Sequence, residues 1–298
     1  MLVAGASGFV GGRLLAEAAL EGVETAVLRR GAQGPSGDLH SWDPASGRIA
    51  PACLQNVDTV VNLCGAGIAD RRWTRARRKL LRESRLLPTR TLVSALGQAG
   101  GTQGRVLVNA SAIGFYGDRG EEWLGEGSAQ GRGFLADLCA EWEAEALAAR
   151  QAGVRVVLLR LGIVLGGGGG ALARMATPFR LGLGGPLGDG QAWMSWISLE
   201  DLCRAILFAA RCPGLEGPVN AVAPEPVRNA EFTRALAAAF GKGARLPMPA
   251  AFLRLIFGEM AREALLASAR VRPALLEAQG FSHRHRALAP YLADLFRV

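Results

Sequence analysis

Residues 1–12 read MLVAGASGFVGG, a short apolar run that passes straight into Gly5, Gly8 and Gly11 and then into the helical pattern Arg13 to Leu20. Gly5 permits a tight turn at a strand end, and Gly8 lets the backbone approach a ligand because no Cβ intervenes. Gly11 lets the new helix lie close against the sheet. The helix N-terminus would then face an anion with free N–H groups. Among 40 glycines a triplet arises by chance, but a triplet that follows a strand and opens a helix satisfies the context a dinucleotide fingerprint requires.

The rest of the chain extends this pattern as an alternation of strands and helices. After the first helix come an apolar strand at Val23 to Leu28, a loop with Gly31, Gly34, Pro35 and Gly37, and a weak strand near Leu39 to Trp42. Asp58 to Leu63 reads as a buried strand, Thr74 to Gly97 as an Arg-rich helix and Arg105 to Ala110 as the next strand. Arg132 to Gln151 reads as a long helix and Val154 to Leu159 as a further strand. This order predicts an α/β fold, a Rossmann-like doubly wound parallel sheet covered on both faces, with its ligand at the C-terminal strand ends. From Pro226 on, amphipathic segments at Asn229 to Phe240 and Ala250 to Ala269 predict a smaller, mostly helical C-terminal substrate domain. The expected division is 1–165 plus about 195–225 for the Rossmann-like part, and about 166–194 plus 226–298 for the rest.

Composition narrows the function classes. Half of the 298 residues are hydrophobic, which suits a globular chain with a substantial core. The longest apolar stretch, Val156 to Ala173, contains Arg160 and five consecutive glycines, so no membrane span is expected. Without a basic segment followed by an apolar one at its start, the sequence predicts a cytoplasmic location. Five scattered cysteines imply reduced thiols, and no metal site is expected around His283 and His285. The net charge of +8 is carried almost entirely by Arg, with only two lysines. Arg71 to Arg85 ranks first as a solvated helix face, second as a source of phosphate ligands and third as a nucleic-acid surface, so no nucleic-acid partner is expected.

The end of the second strand selects the dinucleotide. A site that prefers NAD places Asp or Glu about 20 residues beyond the glycines, where it accepts from the ribose 2′-OH. This chain has Arg29 and Arg30 there, after Leu28. Two guanidiniums favour a 2′-phosphate through charge-assisted pairs, and the expected cofactor is NADP(H). The alternative is two solvated arginines at a strand end.

Five longer motifs make a resemblance plain: GASGFVG at Gly5 to Gly11, NLCGAGIADRRW at Asn62 to Trp73, SAIGFYGDRG at Ser111 to Gly120, LRLGIVLG at Leu159 to Gly166 and MSWISLEDL at Met194 to Leu202. With NAEF at Asn229 to Phe232, LPMPA at Leu246 to Ala250 and GEMA at Gly258 to Ala261, the whole chain resembles an atypical branch of the extended short-chain dehydrogenase/reductases. That branch is epimerase-like and carries a distinctive C-terminal domain. The resemblance implies the backbone around Ser7, Gly8, Phe9 and Val10 at the pyrophosphate, Leu28 to Arg30 at the adenosine ribose and its phosphate, and Leu63 and Cys64 beside the adenine. It also implies Arg85 as a cofactor contact, Ile163 and Val164 near the nicotinamide, and admits a homodimer.

Catalysis departs from the superfamily pattern. Its active members use a Tyr-x-x-x-Lys pair, the lysine lowering the phenol pKa. This chain has two tyrosines, Tyr116 and Tyr291, followed four residues on by Gly120 and Leu295. The expected helix reads FLADL at Phe134 to Leu138, and the position four before Tyr116 is Ala112, with Ser111 next to it. Ser111 and Tyr116 are therefore the catalytic candidates, with Asp118, Arg119 and Glu121 nearby and Arg119 as a cation for the phenol. A packed aromatic with a satisfied hydroxyl is the other reading of Tyr116.

In the second half, the glycine run Gly166 to Gly170 reads as a linker, or as a wrap for a substrate pyrophosphate assisted by Arg174. Gly182 to Gly190 reads as a lid-like loop with Trp193 and Trp196 as apolar walls, and Ser198 with Asp201 as a helix cap. The resulting expectation is an NADP(H)-binding epimerase or oxidoreductase acting on a small carbonyl or hydroxyl compound, anionic or otherwise, with nucleotide sugars among the candidates. A non-catalytic NADP(H)-dependent sensor is the alternative.

Overall fold

The computed structural model describes residues 1–31, 39–99, 103–244 and 246–297. Gly34, Pro35 and Gly37 of the expected loop lie outside them. The first half runs β1 (Leu2–Ala4), α1 (Phe9–Leu20), β2 (Ala26–Arg30), β3 (Leu39–Asp43), β4 (Arg48–Ile49), β5 (Thr59–Asn62), α2 (Arg75–Gln98), β6 (Val106–Ala112), β7 (Trp123–Leu124) and α3 (Phe134–Leu147). It continues through β8 (Arg155–Leu161), β9 (Ile163–Leu165), α4 (Gly170–Arg180), β10 (Trp193–Met194), β11 (Trp196–Ser198), α5 (Leu199–Arg211) and β12 (Gly217–Ala221). The remainder is β13 (Val227–Arg228), α6 (Asn229–Ala239), α7 (Ala250–Phe257), β14 (Arg270–Val271), α8 (Ala274–Ala278) and α9 (Leu288–Leu295).

Eight strands form the central sheet in the order β12-β8-β6-β5-β1-β2-β3-β4. All its pairings are parallel except β3 with β4. Because successive side chains of a strand point to opposite faces, Leu2 and Ala4 join one apolar layer and Val3 the other. The layer containing Val3 packs Leu14 and Ala18 of α1 against Leu202 and Ile206 of α5. The opposite layer takes Leu92 and Leu96 of α2 and Ala146 of α3. Each such fully buried leucine contributes about 2 kcal/mol. Helices on both faces make this the doubly wound sheet expected.

The chain leaves β1 toward β2 on one side and later toward β5 on the other. That reversal opens a crevice at the C-terminal strand ends between β1 and its neighbours.

Several expected boundaries shift for local reasons. The helix expected from Arg132 begins at Phe134, because Gly133 holds φ +110 as its N-cap, and it tightens into a 3-10 turn over Ala148–Ala152. The helix expected over Ala250 to Ala269 breaks at Gly258, whose φ of +61 suits glycine, and only a π turn over Ala261–Leu265 follows. Trp196, expected as a wall of the site, is fully buried in a third core with Phe179, Phe232 and Leu292, and stacks on Tyr291 at 5.7 Å. Its indole fills the space among the side chains of α4, α6 and α9.

Candidate functional site

The crevice holds a cleft of about 1180 Å³. Its walls combine the ends of three strands: Gly5 to Gly8 after β1, Leu28 to Arg30 at the end of β2, and Leu63 to Ala66 after β5. Gly5 sits at φ +85, and a Cβ there would lie 2.9 Å from the Leu63 carbonyl. A Cβ on Gly11 would strike the Gly5 carbonyl oxygen and come within 2.6 Å of the Ala6 Cα. The turn therefore exists only with glycine at both positions. α1 starts at Phe9 with Gly8 as an N-cap that makes no side-chain hydrogen bond, leaving its first-turn N–H groups available beside exposed Ser7. Arg29 and Arg30 are exposed at the cleft edge, and neither side chain makes a hydrogen bond or ion pair among the described residues. An anion cradle with two unpaired guanidiniums beside it fits a phosphorylated dinucleotide.

Some expected contacts work from behind the wall. Asn62 is fully buried; its Nδ2 donates to Thr89 Oγ1 at 2.9 Å and Asn109 Oδ1 at 2.7 Å, and its Oδ1 accepts from Cys64 N at 3.2 Å. This fixes the Leu63–Cys64 edge, where burial pushes the Cys64 thiol up to about 12. Arg85 backs the next two residues. Its guanidinium donates to the Ala66 and Leu81 carbonyls, lies over Trp142 at 5.2 Å, and would meet a Gly65 Cβ at 3.1 Å. Arg85 thus shapes the loop while Gly65 and Ala66 face the cleft.

Phe9 and Val10 also lie under the cradle. The Phe9 ring packs into the glycine run, where a Cβ on Gly166, Gly169 or Gly170 would come within 3.1 Å of it. The run is therefore a fitted surface over α1, not the linker expected. Val10 packs on the core beside Cys203. Ile163 and Val164 form β9 and pair with Trp196 and Ile197 of β11, both half-buried at the C-terminal side of β8.

The catalytic candidates are elsewhere engaged. Arg160 on β8 and Glu143 on α3 form a bidentate pair, 2.8 Å at each contact, with their side chains 3% and 6% exposed. Ser111 Oγ donates to Glu143 Oε1 at 2.6 Å. Arg160 also donates to the Tyr116 hydroxyl at 3.0 Å, and that hydroxyl donates to Asn220 Oδ1 at 2.7 Å. Asn220 N and Leu275 N both donate to Glu126 Oε1, and the Phe115 ring lies 3.5 Å from the Arg160 guanidinium. Tyr116 is fully buried, and burial raises its pKa despite Arg160. The cation expected beside it, Arg119, instead forks onto Glu122.

Sequence reasoning passed over Glu143, Arg160, Glu126 and Asn220. A signal existed for the first two: Glu143 lies four residues from Cys139 on the buried stripe of α3, and Arg160 interrupts an apolar strand.

In the second half, the Ser198 cap is observed, its Oγ accepting from Asp201 N at 3.1 Å. Trp193 lies between Arg228 and Arg270, 4.1 and 4.0 Å from the ring centre, and donates to Glu121. Near the FLADL segment, Glu263 Oε2 accepts from Leu135 N at 2.9 Å, in an approach that a side chain at Gly133 would block. Arg174 reaches Asp70 at 2.7 Å.

With this geometry, comparison with known proteins is consistent along the chain. The pattern of the NAD dependent epimerase/dehydratase family matches residues 1–220, and that of DUF1731, a domain of unknown function, matches 248–295. An epimerase family protein of Mycobacterium bovis is 46% identical over 292 residues, covering 97% of this chain and 95% of its own. The crystal structure of human epimerase family protein SDR39U1 (isoform 2) with NADPH superposes with TM-score 0.86 at 31% identity, covering 99% of this chain and 98% of that one. A nucleoside-diphosphate sugar epimerase from Corynebacterium glutamicum gives TM-score 0.81 at 34% identity, covering 99% of this chain and 57% of that one.

Proposed function

The chain belongs to the NAD dependent epimerase/dehydratase family, and on that premise we propose that it binds NADP(H) in the cleft at the ends of β1, β2 and β5 and acts on a small carbonyl or hydroxyl compound. The observation that carries the reading is the pair of guanidiniums, Arg29 and Arg30, without a partner among the described residues, at the edge of the glycine cradle. A human relative crystallised with NADPH supports it. The N–H groups of Ser7, Phe9 and Val10 hold the pyrophosphate while that of Gly8 closes the turn onto the Gly5 carbonyl at 3.0 Å, and the two arginines pair with the 2′-phosphate. NADP(H) bound there would supply or accept a hydride. The chain's own contribution is to bind, orient and exclude water.

A second reading, a cofactor-dependent sensor without turnover, is favoured by one observation: both candidate proton carriers, Ser111 and Tyr116, are buried and hydrogen-bonded within the Arg160–Glu143 network.

Calorimetric titration of NADPH and NADH tests the cofactor assignment. The intact chain is expected to prefer NADPH, and replacing Arg29 and Arg30 together with Ala should weaken NADPH by about tenfold or more while sparing NADH. Equal affinities for both cofactors, or an unchanged double variant, refutes it. A carbonyl and nucleotide-sugar screen at 340 nm on the NADPH-loaded chain then separates enzyme from sensor, with matching product analysis for redox-neutral epimerisation.

A further inference from the structure

Beyond the cleft, the loop after β5 continues through Gly67 to Trp73 and meets the first turns of α2 and α4. Asp70 stands there between two arginines from different elements. Its Oδ1 accepts from Arg174 of α4 at 2.7 Å and its Oδ2 from Arg77 of α2 at 3.3 Å. The contact is closely built: a Cβ on Gly67 would overlap the Asp70 carboxylate, and Arg77 also donates to the Gly67 carbonyl oxygen. Arg77 is held with its side chain 12% exposed, and its Nε is buried without a hydrogen-bond partner. Leaving such a donor unpaired costs about 1–3 kcal/mol, so its environment has unused capacity for an acceptor.

Charge points the same way. Asp70 is the one carboxylate between residues 67 and 77, against Arg71, Arg72, Arg75 and Arg77, with Arg174 added from α4. Arg71, Arg72 and Arg75 are exposed and make no ion pair among the described residues. A cluster of charges of one sign concentrates counter-charge. Arg174 lies one turn beyond the glycine run that packs on Phe9, and the loop that carries Asp70 leads directly on from Leu63 to Ala66 of the cleft wall, so both partners of the fork are joined by short stretches of chain to the cradle.

We infer that Arg77 and Arg174 form an anion-binding fork for the substrate, and that Asp70 is its resident, exchangeable counter-ion. The substrate therefore bears a carboxylate or phosphate, which takes the fork as the Asp70 carboxylate turns out to solvent. Asp70 is itself 42% exposed, which makes that rotation inexpensive. Arg77 supplies the fixed prong and Arg174, 58% exposed, the mobile one. This assignment rests on the proposed function only for the existence of a substrate: it names the charge of the substrate that the neighbouring cofactor site would serve.

The test titrates inorganic phosphate and, separately, malonate into the NADPH-saturated chain, read by calorimetry and by thermal midpoint. Asp70→Asn removes the resident charge and should bind at least one probe severalfold more tightly than the unaltered chain. Adding Arg174→Ala to Asp70→Asn should abolish the gain. A stronger response to phosphate or to malonate identifies which group the substrate carries. Equal probe affinity in the unaltered chain and Asp70→Asn overturns the inference. So does exclusion of both probes by NADPH, together with tighter NADPH binding to Asp70→Asn, because the fork would then belong to the cofactor pyrophosphate. If NADPH fails to bind at all, the cofactor proposal falls, while the same Asp70→Asn comparison without NADPH, in the Arg29→Ala, Arg30→Ala background, still decides the fork.

Discussion

Glu143→Gln is the perturbation that most directly tests how the C-terminal ends of β6 and β8 are held. In the native chain Glu143 neutralises Arg160 through two 2.8 Å contacts and also accepts from Ser111. A glutamine of the same shape keeps one carbonyl acceptor but brings an NH2 group toward the guanidinium and removes the charge. Arg160, with its side chain 3% exposed, is shut off from the bulk solvent that would otherwise replace the lost charge. Its remaining acceptors are the Tyr116 hydroxyl and the Glu126 carbonyl oxygen, neither of them charged. Removing one partner of a buried pair costs about 3–5 kcal/mol, and the retained hydrogen bond places this case near 3. At roughly 2–4 °C per kcal/mol for a chain somewhat smaller than this one, the thermal midpoint should fall by about 6–12 °C. Urea unfolding provides the assay, with a lowered midpoint concentration at unchanged slope marking a true stability loss. Replacing both partners at once, Glu143→Leu with Arg160→Met, should recover most of it, since the isolated charge is the penalty. A loss under about 1 kcal/mol for Glu143→Gln would refute the claim that this pair is desolvated and mutually dependent.

Tyr116→Phe removes a buried hydroxyl bonded on both sides and should cost about 1–3 kcal/mol while leaving NADPH affinity within about twofold; unchanged stability in urea, or lost NADPH binding, contradicts the structural role. Gly11→Ala drives a Cβ into the Gly5 carbonyl oxygen; NADPH binding should fall at least about tenfold, and an unaltered calorimetric Kd would show that the cradle tolerates displacement. His283 is 5% exposed and packs edge-on against Phe281. Burial lowers its pKa from 6.5, outweighing Asp201 and Glu277, which raise it, while Arg286 acts with burial. The unfolded chain then binds the proton more readily, so stability should decline as pH falls below about 6.5. His283→Phe should flatten that decline, and an identical pH profile for the variant would remove His283 from the linkage.

The parts of this molecule legible in its sequence were those encoded over short distances. Gly5, Gly8 and Gly11 announce the cradle because a turn, a close approach and a helix contact each require the missing Cβ. The apolar strands and the Ser198 cap were readable for the same local reason. What escaped was set by tertiary partners. Arg119 and Arg160 are both arginines within reach of Tyr116 in principle, but pairing across β6, β8 and β12 decides that Arg160 meets it. Trp196 and Trp193 stand three residues apart, yet one fills the core of α4, α6 and α9 and the other stacks between arginines. The five glycines looked like slack chain because nothing adjacent in sequence demands small residues; the Phe9 ring, far away in sequence, does.

The two ends of the site therefore differ in kind. Around the cradle, Ser7, Arg29 and Arg30 are exposed, with polar groups still able to take a partner. At the ends of β6 and β8, Ser111, Tyr116, Glu143 and Arg160 are buried and satisfy one another. A hydroxyl can move a proton only by giving up a bond it already makes; the bond of Ser111 meets the buried Glu143 carboxylate, and that of Tyr116 meets the buried Asn220 amide while its oxygen accepts from Arg160. Ser111 cannot release Glu143, nor Tyr116 release Asn220, without exposing part of an energetic debt of several kcal/mol to the reaction barrier. At about 1.4 kcal/mol per tenfold in rate, a penalty of 3 kcal/mol would slow any step through them by more than about a hundredfold. The network holds β6, β8, β12 and α3 together beneath the site, and a turnover step carried by Ser111 or Tyr116 is expected to be slower by about that factor than one through a free hydroxyl.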